Sequence, residues 1–342
     1  MDMPDDTLKA DQPDETFAAK AKDLLRAAAE GDASQVAAML QADPGLVNAK
    51  GPHPYWGGEP CALHVAAEWG HADVVRELLE RGADPDGRNG SYGGWSPLHC
   101  AIHRGHGPAR YGEIITLLMA RGAQVDIWAA SAMGDSNRVQ DLLSADPAQV
   151  HARGPNSATP LHFASTAEVA SLLLQAGADL AVQDTYGRTP VQFIACFGAK
   201  RRAAAEHVLK QTGDRDVFVY CALGDMSKVS ESLNADPALA GLRRNDHGGK
   251  TLLHVASEHG HVEIVTLLLE RGAEIMGRAD GGLTALHLAA GNGHRRVAEL
   301  LLENGAELNA LDTYHNSTPL GWAEFQGHRE TAAYLRNRGG YR

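Results

Sequence analysis

Apolar residues in this chain fall at helical spacing, in short bursts that glycine interrupts. The clearest case runs from Gly281 to Asp312, GGLTALHLAAGNGHRRVAELLLENGAELNALD. Thr284 stands where its hydroxyl can accept a bond from an orphan amide in a helix's first turn, and that helix opens Ala285-Leu286-His287-Leu288-Ala289-Ala290. Gly293 supplies the left-handed residue that ends it. A second helix puts Val297, Leu300 and Leu301 on one face and leaves Arg296, Glu299 and Glu303 to water. Gly305 ends that helix, and a polar finger from Ala306 to Asp312 leads to Thr318-Pro319, where the pattern starts again.

The same unit recurs along the chain. Leu63-His64, Leu98-His99, Leu161-His162, Leu253-His254 and Leu286-His287 mark five full copies, and Val191-Gln192 and Leu320-Gly321 mark two eroded ones. Two steps between these landmarks, 63 and 62 residues, are about double the rest, so each hides a further copy. The hidden copies run from Asp126-Ile127-Trp128 to Gly134-Asp135 and from Asp216-Val217-Phe218 to Gly224-Asp225. Both resemble the chain's first helix pair, which begins near Phe17 and breaks at Gly31-Asp32. Gly31, Gly134 and Gly224 are each followed 11 residues later by Ala-Asp-Pro. The pattern therefore predicts ten helix pairs in three blocks, each opened by a cap-like pair. Residues 1–16 read as a disordered acidic tail. Residues 17–342 read as a single solenoid with sub-blocks of about 17–125, 126–215 and 216–342, since no Gly/Ser or Pro-rich linker separates them.

The T-P-L-H, G-H and G-A-D landmarks make this helix–turn–helix plus finger similar to an ankyrin repeat. That resemblance covers about residues 17 to 342. It implies an all-α solenoid of helix pairs with short β-hairpin-like fingers, and a binding surface on the concave side, lined by the fingers and the first helix of each pair. It also implies that the T-P-L-H histidine bonds to backbone and ties neighbouring repeats together.

Charge and composition narrow the chemistry. The chain carries 31 Lys and Arg against 43 Asp and Glu, a net charge of −12, with no basic run. Affinity for nucleic acid comes from neutralising phosphates, so nucleic acid is not expected as a partner. No apolar stretch approaches bilayer length and the N-terminus lacks the features of a signal peptide, so no membrane association and a cytoplasmic location are expected. The four cysteines are far apart in sequence, without a C-x-x-C pair, which suggests neither disulfides nor a zinc site.

Among the 17 histidines, His99, His103 and His106 have ligand-like spacing. The seven-residue gap recurs in His64/His71, His254/His261 and His287/His294, however, which marks it as framework, so no metal and no cofactor are expected. No nucleophile elbow or phosphate loop is present, and catalytic residues cannot be named from the sequence. What departs from the repeat is aromatic. Four of the five tryptophans lie in the first 128 residues. Two fingers, Lys50–Glu59 and Asn89–Trp95, each carry a Tyr and a Trp beside paired glycines, and a further insertion, Gly107–Gly112, separates the helices of the third repeat. The candidate binding residues are Tyr55, Trp56, Tyr92 and Trp95 from the fingers, Glu68, Trp69, His103 and Arg104 from the ends of first helices, and Arg110 from the insertion. Rigid aromatic side chains bury large area at small entropic cost. They can equally stack on one another as a satellite core. The expected function is a binding module or scaffold that takes a protein or peptide partner on its concave face. The alternative is a small-molecule site or an unusual enzyme, with the aromatics as walls and Glu68, His103, Arg104 and Arg110 as polar groups.

Overall fold

The computed structural model describes residues 15–55, 57–88, 90, 92–104, 110–213, 215–245 and 248–341; the expected tail, apart from its last two residues, lies outside them. The described residues form two compact units. One runs through Leu142 and takes in Arg153–Asn156; the other holds Leu143–Ala152 and everything from Ser157 onward. No helix among the described residues is long and apolar enough to cross a membrane.

The first unit stacks four helix pairs, its last helix running past Leu142: α1 (Glu15–Glu30) with α2 (Ala33–Ala42), α3 (Ala62–Trp69) with α4 (Ala72–Glu80), α5 (Pro97–Arg104) with α6 (Arg110–Ala120), and α7 (Ile127–Met133) with α8 (Ser136–Ala145). The second unit holds α9 (Pro160–Phe163) with α10 (Ala167–Gln175), α11 (Pro190–Ala195) with α12 (Arg202–Thr212), and α13 (Val217–Leu223) with α14 (Met226–Ala235). It continues with α15 (Leu252–His259) and α16 (Val262–Glu270), α17 (Ala285–Gly291) and α18 (Arg295–Glu303), then α19 (Pro319–Phe325) and α20 (Arg329–Asn337). These are the ten pairs expected from the spacing. Within each unit, first helices pack on first helices, as α3 does on α5 and α17 on α19. Ala and Leu make the contact, with Ala66, Ala67, Ala289 and Ala290 fully buried. Small side chains there let the helix backbones come close. The only paired strands among the described residues are β1 (Arg243–Arg244) and β2 (Lys250–Thr251), an antiparallel finger hairpin.

The histidine landmark explains the register. Thr284 caps α17, its hydroxyl accepting the His287 amide, while His287 Nδ1 accepts the Thr284 amide at 3.2 Å. His287 Nε2 then donates to the Ser317 carbonyl in the next finger at 3.2 Å. His64 reaches Trp95 O, His162 reaches Arg188 O and His254 reaches both Gly277 O and Leu283 O in the same way. The G-H histidine works in the opposite direction. His71 bonds Ala29 O, His261 bonds Ala222 O and His294 bonds Glu258 O, each a carbonyl near the end of the preceding first helix. The glycine under such a ring has two reasons to be glycine. Gly260 has φ +77°, and a Cβ on it would lie 2.5 Å from His294 Nδ1.

In two repeats a different side chain makes this bond. Tyr111 donates its hydroxyl to Glu68 O at 3.1 Å, and Arg201 donates to Phe163 O at 3.1 Å. Tyr111 was expected in an inserted loop; it is instead a buried residue of α6, because the helix begins at Arg110 and its hydroxyl satisfies the α3 carbonyl.

The three cap-like openers share a local structure. In place of the G-H histidine they carry Asp32, Asp135 and Asp225, whose carboxylates cap their own second helix at Gln35, Arg138 and Lys228. Each second helix leads through Asp-Pro into a 3₁₀ turn, at Pro44–Asn48, Pro147–His151 and Pro237–Gly241. The preceding repeat reaches a side chain at the second and third openers: His99 Nε2 lies 3.1 Å from Asp126, and Gln192 donates to Asp216 at 2.8 Å. Burial acts to raise the Asp126 pKa, but the His99 bond and charge and the amides of Ala129 and Trp128 outweigh it, so the carboxyl sits below its ordinary value.

Burial holds the imidazoles of His64 and His254 well below their ordinary range, at about 4. An unfolded imidazole takes its proton near 6.5, so between pH 6.5 and 4 the unfolded chain binds more protons than the folded one. Stability is therefore complete above about pH 6.5 and falls as the pH drops toward 4. In urea unfolding, His254→Ala should lose about 1–3 kcal/mol at pH 7 and show a shallower loss between pH 7 and 5 than the parent. Parallel pH profiles for the two proteins would mean that His254 does not carry this dependence.

Candidate functional site

The aromatic residues singled out in the sequence gather in the first unit around the C-terminal end of α3. Glu68, in the last turn of that helix, is buried with 8% exposure. Its Oε2 accepts the Tyr92 hydroxyl at 2.9 Å and lies 3.3 Å from His53 Nε2. The His53 side chain is fully enclosed and stacks on Tyr92, with ring centroids 5.7 Å apart and planes within 4°. His53 Nδ1 accepts the Tyr55 amide at 3.2 Å, so the imidazole keeps its proton on Nε2, facing Glu68. One carboxylate thus joins two fingers to one helix end.

The ring of Tyr55 is 54% exposed and meets half-buried Trp69 edge-on, with centroids 5.3 Å apart and planes at 62°. Tyr92 and Trp95 are both half-buried. Trp95 sets its ring edge-to-face on His99 at 6.2 Å, while its carbonyl accepts His64 Nε2. Trp56 lies outside the described residues. His103 and Arg104 stand at the end of α5 and Arg110 at the start of α6, and their side chains also lie outside what is described. The structure therefore brings Tyr55, Glu68, Trp69 and Tyr92 together, with Trp95 alongside. It adds His53 and Tyr111, which sequence reasoning did not single out. His53 lay in plain view within the Lys50–Glu59 finger, but nothing local marks a finger histidine as buried.

Two other aromatic fingers show a different construction. Asp184 collects the amides of Tyr186 and Arg188, and Asp312 collects those of Tyr314, His315 and Ser317. There the carboxylate shapes its own loop, and Tyr186 and Tyr314 are 57% and 64% exposed, the first with the Arg188 guanidinium over its ring and the second with its ring against Gly281. Among the described residues no group of three or more His, Cys, Asp or Glu side chains is arranged to hold a metal ion. Two open depressions lie in the second unit. One, of about 780 Å³, is lined by Leu320, Glu324, Arg336 and Tyr341 among others, and the other, of about 530 Å³, by Val262, His294, Arg295 and Glu330 among others. Neither touches the aromatic fingers.

Comparison with known proteins agrees with this architecture. Residues 24–129 match a model of ankyrin repeats in three copies, 253–302 a model of ankyrin repeats in many copies, and 156–185 a model of the single ankyrin repeat. Among curated proteins the chain is similar to "Probable E3 ubiquitin-protein ligase XBOS33" of Oryza sativa, 26% identical over 252 residues, or 74% of this chain and 38% of that protein. It is also similar to "Ankyrin repeat and SAM domain-containing protein 6" of Danio rerio, 29% identical over 178 residues, covering 47% of this chain and 22% of the relative. Human "NF-kappa-B inhibitor alpha" is 31% identical over 120 residues, 34% of this chain and 31% of its own length. The chain spans well under two thirds of each of these relatives. With ten helix pairs, the histidine ties and three matching family models, the chain belongs to the ankyrin repeat family.

Proposed function

We propose that this chain is a protein-interaction module and that a protein or peptide partner docks across the fingers and first helices of its first unit. The observation that carries this reading is the exposed Tyr55, its ring edge-on against Trp69 and its amide bonded to buried His53. A partner meeting this ring meets a side chain with few rotamers to lose, which is what an interface anchor needs. The relatives named as an inhibitor of NF-kappa-B and as a SAM-domain protein support an interaction role for the fold. The acidic balance of the chain argues against a phosphate backbone as the partner.

The arrangement of the polar groups favours this reading over an enzyme. His53 spends one nitrogen on the Tyr55 amide and turns the other to Glu68, and Tyr92 donates to the same carboxylate. An acid–base pair poised for chemistry would face a cavity; here the carboxylate is buried, accepts the Tyr92 phenol and lies beside an enclosed imidazole. Their role in this reading is to hold the finger that presents Tyr55.

Two substitutions separate presentation from support. Tyr55→Ala should leave the melting midpoint within a few degrees, because exposed positions usually change stability by no more than about 0.5 kcal/mol. It should weaken capture of cellular partners by the full chain about tenfold or more, as measured by quantitative affinity purification. Leu63→Ala, at a fully buried position of α3, should instead lose about 2–5 kcal/mol. Unchanged capture by folded Tyr55→Ala would move the recognition surface elsewhere. Tyr92→Phe removes a donor from a buried carboxylate and should cost about 1–3 kcal/mol in urea unfolding; a neutral result would mean that Glu68 does not depend on it.

A further inference from the structure

Resting on the docking surface proposed above, we infer that the corner formed by Tyr55, Trp69 and Glu68 receives a cationic side chain, arginine or lysine, from a basic segment of the partner protein. Three observations lead there. The first is the pair of aromatic rings. Tyr55 presents more than half its surface to solvent beside half-buried Trp69. The face of an aromatic ring is the negative pole of its quadrupole, so an exposed face attracts a cation in preference to an anion.

The second is a carboxylate at the same helix end. Glu68 is the residue before Trp69, in the last turn of the same helix. The Tyr92 phenol donates to the Glu68 carboxylate, and His53 Nε2 lies 3.3 Å from it. The phenol orients the carboxylate without removing its charge. A charge in this partly enclosed setting is screened less than one in open water, so its field reaches the surface occupied by Tyr55. The third is the chain as a whole. Its net charge of −12 favours encounter with a basic partner and disfavours an acidic one. The same fingers would offer an apolar segment area but no electrostatic preference, so a basic segment is the occupant that uses both the rings and the carboxylate.

The test uses the full chain and two fluorescein-labelled Gly/Ser peptides, one bearing several arginines and the other citrulline at the same positions. Citrulline keeps the shape of arginine without its charge. Fluorescence anisotropy should show binding of the arginine peptide and about tenfold weaker binding of its citrulline twin. Tyr55→Ala and Glu68→Gln should each weaken the arginine peptide about fivefold or more, and Tyr55→Phe should restore most of the loss. Glu330→Gln removes the same charge from an exposed position on α20, in the second unit, and should change affinity less than about twofold.

Equal losses in Glu68→Gln and Glu330→Gln would reduce the effect to overall charge and overturn the inference. So would equal binding of the two peptides, or no binding of either. If Glu68→Gln fails to fold, the contrast of Tyr55→Ala with Tyr55→Phe decides: loss in the first and recovery in the second supports the inference, and no loss in the first overturns it. The docking surface fails separately, if folded Tyr55→Ala still captures cellular partners in full. If Tyr55→Ala loses that capture while the citrulline twin binds as well as the arginine peptide, the surface stands and the cation assignment falls.

Discussion

The fold depends on a buried imidazole placed between one repeat and the next. An isolated helix pair with its finger cannot bury its own apolar face and leaves backbone groups at the finger without partners. The T-P-L-H histidine solves the second problem while the stack solves the first. Nδ1 accepts from the helix cap, and Nε2 donates to the carbonyl just before the next cap, as in His64 to Trp95 and His287 to Ser317. Only a neutral ring can accept on one side and donate on the other, and burial keeps it neutral. Packing and hydrogen bonding therefore set the same register, and neither is satisfied if the stack slips.

The return bond from each repeat to the one before it tolerates more variation. Histidine makes it at His71, His261 and His294, a phenol makes it at Tyr111 and a guanidinium at Arg201. What stays fixed is the requirement that a carbonyl near the end of a first helix receive a donor. Arg201 shows how far this goes: it is almost fully buried, its pKa is drawn down to about 10 by that burial, and it lies 3.8 Å over the Phe197 ring. The openers end the exchange in the backward direction by using aspartate for capping. They accept the forward bond on a carboxylate, at Asp126 and Asp216.

Departures from this framework concentrate in the first unit, where the long fingers carry aromatic residues. In the fingers of Tyr186 and Tyr314 an Asp of the same loop collects the loop's amides, as Asp184 and Asp312 do. The fingers bearing Tyr55 and Tyr92 instead take their order from Glu68, a residue of α3. That arrangement couples the presented ring to the helix stack through one buried carboxylate.

The helix pairs, their number and the hidden openers were legible in the sequence because each rests on local chemistry. Threonine caps, left-handed glycines and apolar spacing act within a few residues, so ten pairs could be counted from spacing alone. The bonding partners of His287 were implied by family resemblance, and the structure supplied the atoms. Tyr111, His53 and the burial of Glu68 were not legible. Tyr111 read as loop because the inserted glycines and proline beside it mask a helix start, and its partner is an α3 carbonyl 43 residues earlier. Glu68 read as a presented charge because its position varies in chemistry along the chain. Only the meeting of two fingers over the end of α3 encloses it. Spacing along the chain determined the repeat, because helix capping and amphipathicity are local. Which aromatic rings support and which are presented was decided by contacts between fingers distant in sequence, and those exist only once the repeats have stacked.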